Sequence, residues 1–236
     1  MNAGAVTILR NSFPLFGALV VFAVAGFWSS YVSRIASETQ FRVHLHGAVM
    51  FAWLLLLTAQ AYLIRTDRRA WHRRLGKVSY FLVPLIVLAT LSLSHYRVRE
   101  SGAEPPLELL YFLYVQLALL GLFVLSWALA IFHRKSPKLH GRYMVCTALA
   151  VVDPILARLL NLHLGVDFPS AQFLTYGFVD LILLCLLAAD WRLRPRISVF
   201  PAMLCLFVMV QIPTFFWYKL PTWKAFALWY GSLALP

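Results

Sequence analysis

Two carboxylates lie inside long apolar runs of this sequence, where an ionisable group can do chemistry. Asp153 and Asp180 each sit near the middle of a run. A charge at bilayer depth is costly unless a partner, a cavity or a function compensates it. Two such carboxylates close together cannot both stay ionised without a cation, so one would hold a proton. The pair therefore predicts either a proton, ion or substrate site, or a hydrogen-bonded contact that locks two helices together.

Arg158 is a further charged residue within an apolar run. It follows Asp153 by five residues, about 140° around a helix, so the two are poor intrahelical partners. Arg158 is expected either to extend toward the bilayer surface or to reach an acid on another helix. Pro154 removes a backbone donor next to Asp153, which opens the helix there to water or a ligand.

The positions of several histidines in the sequence suggest a bound cofactor or metal ion. His44 and His46 are two positions apart, so only one of them can point into a helix bundle. His46, Trp53 and Gln60 recur every seven residues and form one stripe that is predicted to face protein. His46 and His95 are predicted at similar depth, as the axial ligands of a b-type haem must be.

The metal hypothesis uses the same histidines. Neutral imidazole is a common ligand of transition metals, and the candidate ligands are His44, His46 and His95. The alternative is that these histidines, near helix ends, only form hydrogen bonds at the membrane interface.

These residues need helices to position them. The chain has 236 residues, of which 61% are hydrophobic and 13% charged, a composition that excludes a water-soluble globular protein. Apolar windows of about 20 residues predict membrane spans. The fold class is therefore an all-α polytopic transmembrane bundle, one domain over residues 1–236 embedded in the lipid bilayer. About seven spans are expected, near 13–33, 44–64, 77–96, 108–132, 143–160, 171–189 and 198–218.

The net charge of +12 would suggest nucleic acid in a soluble protein. Here the basic residues lie in short connections beside apolar runs, where they set topology and meet anionic lipid headgroups, so no nucleic-acid partner is expected. Arg10, three basic connections and the residues that flank them place 14 of the 21 lysines and arginines on one side. The positive-inside rule puts that side, with the N-terminus, in the cytoplasm and the C-terminus outside.

A short motif occurs twice on the cytoplasmic side. In 71–76 and 139–144 a histidine, His72 or His140, is followed two residues later by an arginine at the start of a predicted span. The motif predicts either a phosphate or lipid-headgroup site at a helix N-terminus or simple topological anchoring.

The combined motifs resemble those of a group of uncharacterised bacterial multi-pass inner-membrane proteins. The shared features are a His-x-His-Gly helix, a His-Arg-Arg-Leu-Gly turn, a second basic turn and an aspartate in a later helix, here 44–47, 72–76, 140–144 and Asp180. The group's usual His-Lys-Arg is His-Gly-Arg at His140. A looser similarity is to membrane proteins that assemble haem-copper oxidases. The resemblance implies the bacterial inner membrane but no particular activity.

The sequence thus predicts a membrane protein that binds a small ligand or cofactor. The most specific form of this hypothesis is a b-type haem or a transition metal that serves electron transfer or oxidase assembly, with a membrane-complex partner. The expected cavity opens outward and is lined by His46, Trp53, His95, Asp153, Arg158 and Asp180. One alternative is a proton-coupled transporter that uses Asp153 and Asp180. Another is an accessory subunit without chemistry, and whether the protein is an enzyme stays open.

Overall fold

The computed structural model describes residues 12–38, 40–193 and 198–234, and these residues form helices and no strands. The α-helices are α1 Ser12–Gly26, α2 Phe41–Arg65, α3 Arg69–Gly76, α4 Ser79–Glu100, α5 Leu107–Phe132, α6 Pro137–Leu164, α7 Phe168–Leu193, α8 Phe200–Thr214 and α9 Pro221–Ser232. Two single turns of 3₁₀ helix, Val32–Arg34 and Trp217–Lys219, lie in connections. The all-α prediction is confirmed.

Six helical segments of the described residues are long and apolar enough to cross a membrane. They are Phe41–Arg65, Arg69–Glu100, Leu107–Phe132, Pro137–Leu164, Ser170–Arg192 and Phe200–Lys219. The remaining predicted window, 13–33, contains α1, whose 15 residues are fewer than the roughly 20 that span hydrocarbon. The protein is therefore multi-pass, with six candidate spans and one shorter apolar helix.

The outer surface of the bundle is apolar. Phe81 is 81% exposed and Phe132 is 78% exposed, and several leucines on the same helices, such as Leu88 and Leu107, are also exposed. A soluble protein rarely exposes such extensive apolar surface, whereas hydrocarbon solvates it well. The exposed faces of these helices therefore suit contact with lipid.

The helices pack as two closed circuits that share α5 and α6. In the first circuit, α1, α2, α4, α5 and α6 contact one another in the order α1–α2–α4–α5–α6–α1. In the second circuit, α5, α6, α7 and α8 do so in the order α5–α6–α7–α8–α5. Side chains on opposite sides of α6 consequently face different interiors.

Gly26 allows α1 to approach α6 closely. A Cβ atom at Gly26 would lie 2.9 Å from the backbone oxygen of Ile155 and 3.3 Å from the Leu159 side chain. Real Cβ atoms do not come that close to backbone oxygen. The absence of a side chain at this position therefore sets the α1–α6 distance.

A buried ion pair fixes what we call the basic end of the bundle, the end that carries Arg65, Arg73, Arg134 and Arg142. The Arg142 guanidinium donates to both carboxylate oxygens of Asp190, at 2.7 and 2.5 Å. Ser198 adds a hydrogen bond of 3.0 Å to the same carboxylate. The pair joins the start of α6 to the end of α7. Arg10, Arg194 and Arg196, which were counted on this side, lie outside the described residues.

At the opposite end, α9 packs on α4 and α5. The Trp223 indole donates to the backbone oxygen of Leu110 at 3.0 Å, and the Tyr230 hydroxyl donates to that of Leu91 at 2.7 Å. The aromatic residues of α9 thus hold it against the bundle.

Candidate functional site

Asp153 is buried in the second circuit, with 2% of its surface exposed. Its Oδ1 accepts a hydrogen bond of 2.6 Å from the Gln172 amide and another from the Thr175 hydroxyl, both on α7. Gln172 in turn accepts a hydrogen bond of 2.7 Å from Tyr111 on α5. Three helices therefore converge on this carboxylate. Its Oδ2 is also buried but has no hydrogen-bond partner, so half of the carboxylate is free to bind a proton or a donor.

Asp180 has a different partner. Its Oδ1 accepts a hydrogen bond of 3.0 Å from Gln211 on α8. Asp180 follows Thr175 by five residues, about 140° around α7, so it is turned away from the side that meets Asp153. The two carboxylates belong to the same circuit but are bound by separate groups, not by each other.

Arg158 lies on the side of α6 that faces α1. Its guanidinium stands over the Phe27 ring, 4.7 Å from the ring centre. Its Nε is buried and has no hydrogen-bond partner, and no described acid lies within ion-pair distance. The prediction that Asp153 and Arg158 do not pair within the helix is confirmed. Arg158 contacts an aromatic ring and reaches no described acid.

Arg97 and His46 lie near enough to Arg158 for their charges to interact. The charges of Arg97 and Arg158 both act on the His46 imidazole, and Arg97 also acts on Arg158. We call these three residues the cationic cluster. Glu38 acts on Arg97, but among the described residues Glu38 forms no ion pair within 4 Å. Two guanidinium groups and an imidazole are thus gathered from α2, α4 and α6 with little compensating negative charge.

His46 faces the bundle, and His44 faces the connection between α1 and α2. The Nδ1 of His46 lies 3.2 Å from the Thr90 hydroxyl on α4. The Nδ1 of His44 lies 2.9 Å from the Tyr31 hydroxyl, and its Nε2 lies 2.8 Å from the backbone oxygen of Glu38. The sequence left open which histidine points inward; the structure assigns that role to His46.

His95 is not brought to His46. Its Nε2 lies 2.9 Å from the backbone oxygen of Leu233, and its ring packs edge-on against Tyr230. One ring nitrogen of His95 is therefore engaged with the segment that follows α9. Among the described residues, no group of three histidine, cysteine or acidic side chains is placed to hold a metal ion. The set His44, His46 and His95 is dispersed because each ring meets a different neighbouring element.

The stripe on α2 faces protein along its length. Trp53 is fully buried and packs edge-on against Phe123 of α5, with ring centres 4.9 Å apart. Gln60 is buried near α3, where its amide oxygen, in the orientation that satisfies its neighbours, accepts a hydrogen bond of 2.9 Å from Gly76. Trp53 therefore belongs to the first circuit and does not share a cavity with Asp153 or Asp180.

Several residues of these sites were missed or given another role at the sequence level. Gln172, Thr175, Tyr111 and Gln211 are neutral, and nothing in their spacing distinguishes them from other polar residues. Arg97 directly follows the predicted span 77–96, so its position in the sequence indicates only a charge in a connection. Asp190 had a usable signal, because it is an acid on the strongly basic side, at the end of an apolar run.

In comparisons with known proteins, no family model, curated protein or solved structure matches this chain.

Proposed function

We propose that this protein is a membrane protein that binds an anionic small ligand through the cationic cluster. The observation that carries the proposal is the buried, unpartnered Nε of Arg158. A buried donor without an acceptor is costly, and a charged donor more so. A carboxylate or phosphate at this position would satisfy it with charge-assisted hydrogen bonds.

The surroundings define the class of ligand. Arg158 and Arg97 supply fixed positive charge, and His46 supplies a ring nitrogen near them. Phe27 covers one face of the Arg158 guanidinium, and the flanking helices are apolar. A ligand with one anionic group and an apolar body matches this combination. We therefore propose an anionic amphiphile, such as a fatty acid or an acidic phospholipid.

Binding of chemically matched amphiphiles tests the proposal. Native mass spectrometry of the detergent-purified protein would compare lysophosphatidylglycerol and oleate with zwitterionic lysophosphatidylcholine. We expect one equivalent of each anionic probe to bind. We also expect Arg158→Gln or Arg97→Gln to weaken binding about 10- to 100-fold, the effect of losing a hydrogen bond to a charged group.

Arg99→Gln is the matched control, because Arg99 is an exposed arginine on the same helix as Arg97 and lies outside the cationic cluster. Equal binding of the zwitterionic probe, or unchanged binding by the Arg158 variant, would refute the proposed site.

A second candidate function, proton-coupled transport, is favoured by the unpartnered Oδ2 of Asp153. A carboxylate at this depth is able to take up and release a proton if one of its oxygens is accessible during a transport cycle. Proton flux into proteoliposomes, driven by a potassium–valinomycin potential, tests this. Asp153→Asn and Asp180→Asn should each abolish flux, and Asp167→Asn, at a connection, should not. Flux at the wild-type level in the first two variants excludes the transporter.

For location, we propose that α1 is a short seventh crossing beside the six candidate spans, in a bilayer that thins locally to match it. The protein would then lie in the bacterial inner membrane, with the N-terminus and the basic end in the cytoplasm, where Lys and Arg meet anionic headgroups. In a cysteine-free background, Arg69→Cys and Glu104→Cys place a label at opposite ends of the candidate span that α3 and α4 form, Arg69–Glu100. A membrane-impermeant maleimide added to intact cells should label only Glu104→Cys. Labelling of only Arg69→Cys would show that the protein has the opposite orientation in the membrane.

A further inference from the structure

The Asp153 carboxylate has one oxygen fixed by hydrogen bonds and the other free. Gln172 donates a hydrogen bond of 2.6 Å to Oδ1, and the Thr175 hydroxyl donates to the same oxygen. Both donors come from α7, so the carboxylate cannot rotate without breaking two bonds. Oδ2 is thereby held in one position, where it is buried and has no hydrogen-bond partner among the described residues.

Pro154 leaves a second oxygen free close to Oδ2. Proline has no N–H, so the backbone oxygen of Ala150 lacks the hydrogen bond that residue 154 donates to it in a regular helix. Backbone oxygens of a helix point toward its C-terminus, whereas side chains tilt toward its N-terminus. The carboxylate of Asp153, three residues after Ala150, consequently leans over the turn that carries this oxygen. Both residues are buried, so two unsatisfied acceptors share one region from which water is excluded.

The nearby hydroxyl donors are already used. The charge of Asp153 acts on Tyr111 and Tyr176, so both hydroxyls lie in its neighbourhood. The Tyr111 hydroxyl donates to Gln172 at 2.7 Å, and the Tyr176 hydroxyl pairs with that of Thr214 at 2.9 Å. These side chains therefore supply no hydrogen to Oδ2.

No described base compensates the charge of Asp153. No described lysine or arginine forms an ion pair with it, and Arg158 is turned toward α1. A lone carboxylate at this depth in a membrane is costly. Carboxylate and backbone oxygens are the ligands that hard cations prefer, and backbone oxygens freed in interrupted helices bind Na⁺ in membrane transporters. One cation between the two oxygens would satisfy both and balance the charge.

The surroundings define the class of cation. One carboxylate balances one positive charge, which favours a monovalent ion over Ca²⁺ or Mg²⁺. Among the described residues, no group of three histidine, cysteine or acidic side chains is placed to hold a transition metal. Asp153, Gln172 and Thr175 are each 3% exposed or less. Such close packing favours the smaller Na⁺ over K⁺.

We propose that Oδ2 of Asp153 and the backbone oxygen of Ala150 are two ligands of one Na⁺ ion in the second circuit, with Gln172 as a positioning residue. Gln172 and Tyr111 lie about one turn from the starts of α7 and α5, so the site is near the end opposite the basic end. The site is independent of the cationic cluster. It uses the oxygen at which the second candidate function places a proton, so Na⁺ and a proton compete for it.

Binding of radioactive Na⁺ to the detergent-purified full chain, together with thermal unfolding, tests the proposal. We expect one equivalent of Na⁺ to bind. We also expect NaCl to raise the melting temperature above that in KCl or choline chloride at the same concentration. Asp153→Asn should abolish both effects, and circular dichroism without Na⁺ checks that this variant is folded.

Pro154→Ala tests the backbone ligand. The alanine returns an N–H to the Ala150 oxygen, so binding of Na⁺ should weaken while the helix itself becomes more regular. Pro84→Ala is the matched control, because this proline lies inside α4 in the first circuit, and it should leave binding unchanged.

Gln172→Leu tests the positioning role. It leaves Oδ1 with one donor and should lower the affinity for Na⁺ about 10- to 100-fold, as loss of an outer hydrogen bond does at other metal sites. Gln211→Leu is the matched control, since that amide donates to Asp180, and it should keep the affinity. Arg158→Gln should keep it as well, so failure of the anion site is distinguishable from failure of this one.

Three outcomes overturn the proposal. One is that NaCl and KCl stabilise the protein equally. A second is that Asp153→Asn or Pro154→Ala binds Na⁺ like the wild type. The third is an infrared band of a protonated carboxyl group in NaCl that Asp153→Asn removes, which would show that Oδ2 holds a proton. In that case the proton-coupled candidate stands and the Na⁺ site does not.

Discussion

Asp153 and Arg158 are one and a half turns apart on α6, yet they face different interiors. Asp153 is bonded to α7 in the second circuit, and Arg158 stands over Phe27 beside α1 in the first. Because the two charges do not neutralise each other, each remains available to a ligand or a proton. The protein therefore has separate candidate anion and proton sites on a single helix.

The close contact between α1 and α6 predicts opposite effects for two glycine substitutions in α1. Gly26→Ala should lower the free energy of unfolding by about 1–3 kcal/mol, because the new methyl group overlaps the Ile155 backbone oxygen. Gly17→Ala should raise it by roughly 0.5–1 kcal/mol, since nothing lies within 4 Å and alanine favours the helix. Equilibrium unfolding in mixed detergent micelles measures both. A similar effect of the two substitutions would contradict the close approach.

Loss of the buried ion pair should be far more costly than loss of an exposed one. Asp190→Asn leaves the Arg142 guanidinium buried without its counter-charge and should cost about 3–5 kcal/mol of unfolding free energy. The side chains of this pair are 7% and 3% exposed, compared with 38% and 84% for Lys224 and Glu104.

Lys224→Gln, which breaks the exposed pair, should therefore cost less than about 1 kcal/mol. Thermal unfolding followed by circular dichroism gives the comparison. If both variants lose the same stability, the Arg142–Asp190 pair is not buried as described.

The Asp153 network predicts that an acceptor, rather than a charge, is needed for folding. Asp153→Asn keeps an oxygen for Gln172 and Thr175 and should change the free energy of unfolding by less than about 1 kcal/mol. Asp153→Ala removes this acceptor and leaves Gln172 with only the Thr175 hydroxyl at 3.3 Å, and Thr175 with only the Gln172 backbone oxygen at 3.0 Å. This variant should therefore lose more stability, about 1–3 kcal/mol. The same unfolding measurements apply. Equal loss in the two variants would show that the negative charge itself stabilises the fold.

The start of α7 predicts a pH dependence. A hydrogen bond from the Ser170 backbone N–H, 3.1 Å from the Asp167 carboxylate, lowers the pKa of Asp167 below its usual value of 3.8. A carboxyl group whose pKa is lower in the folded state stabilises the protein above its unfolded pKa, and this contribution is lost as the pH falls through the folded pKa.

The wild type should therefore melt above Asp167→Ala at neutral pH, and this difference should disappear below the folded pKa. Melting temperatures of the two proteins between pH 7 and pH 2.5 provide the test. A difference that does not shrink as the pH falls would mean that the ionised cap is not its source.

The helical class and most element positions could be predicted because their signals are local. Apolar windows mark the six long segments, and the seven-residue spacing of His46, Trp53 and Gln60 places them on one face that does contact protein. The first window was less well predicted, since α1 ends at Gly26, well before residue 33. Hydropathy alone does not register that Gly26 and the following turn bring the chain against α6.

The composition of the sites could not be predicted in the same way. His46 and His95 share an end of the bundle, as expected, but their rings meet Thr90 and Leu233. Asp153 and Asp180 lie on adjacent helices, as expected, but are bonded to Gln172 and Gln211. The depth of a residue in the membrane follows from its position along the chain. The residue that its side chain contacts depends on the rotation of each helix and on which helix lies beside it.

The sequence by itself determined that this chain lies in a membrane as helices, because the free energy of moving residues into hydrocarbon adds up along the chain and needs no knowledge of contacts. Only the tertiary structure decided that one row of costly polar residues is divided between two helix circuits, and that His72 meets His140. Such meetings join residues far apart in sequence, and a rotation of about 100° per residue turns neighbours on one helix toward different partners.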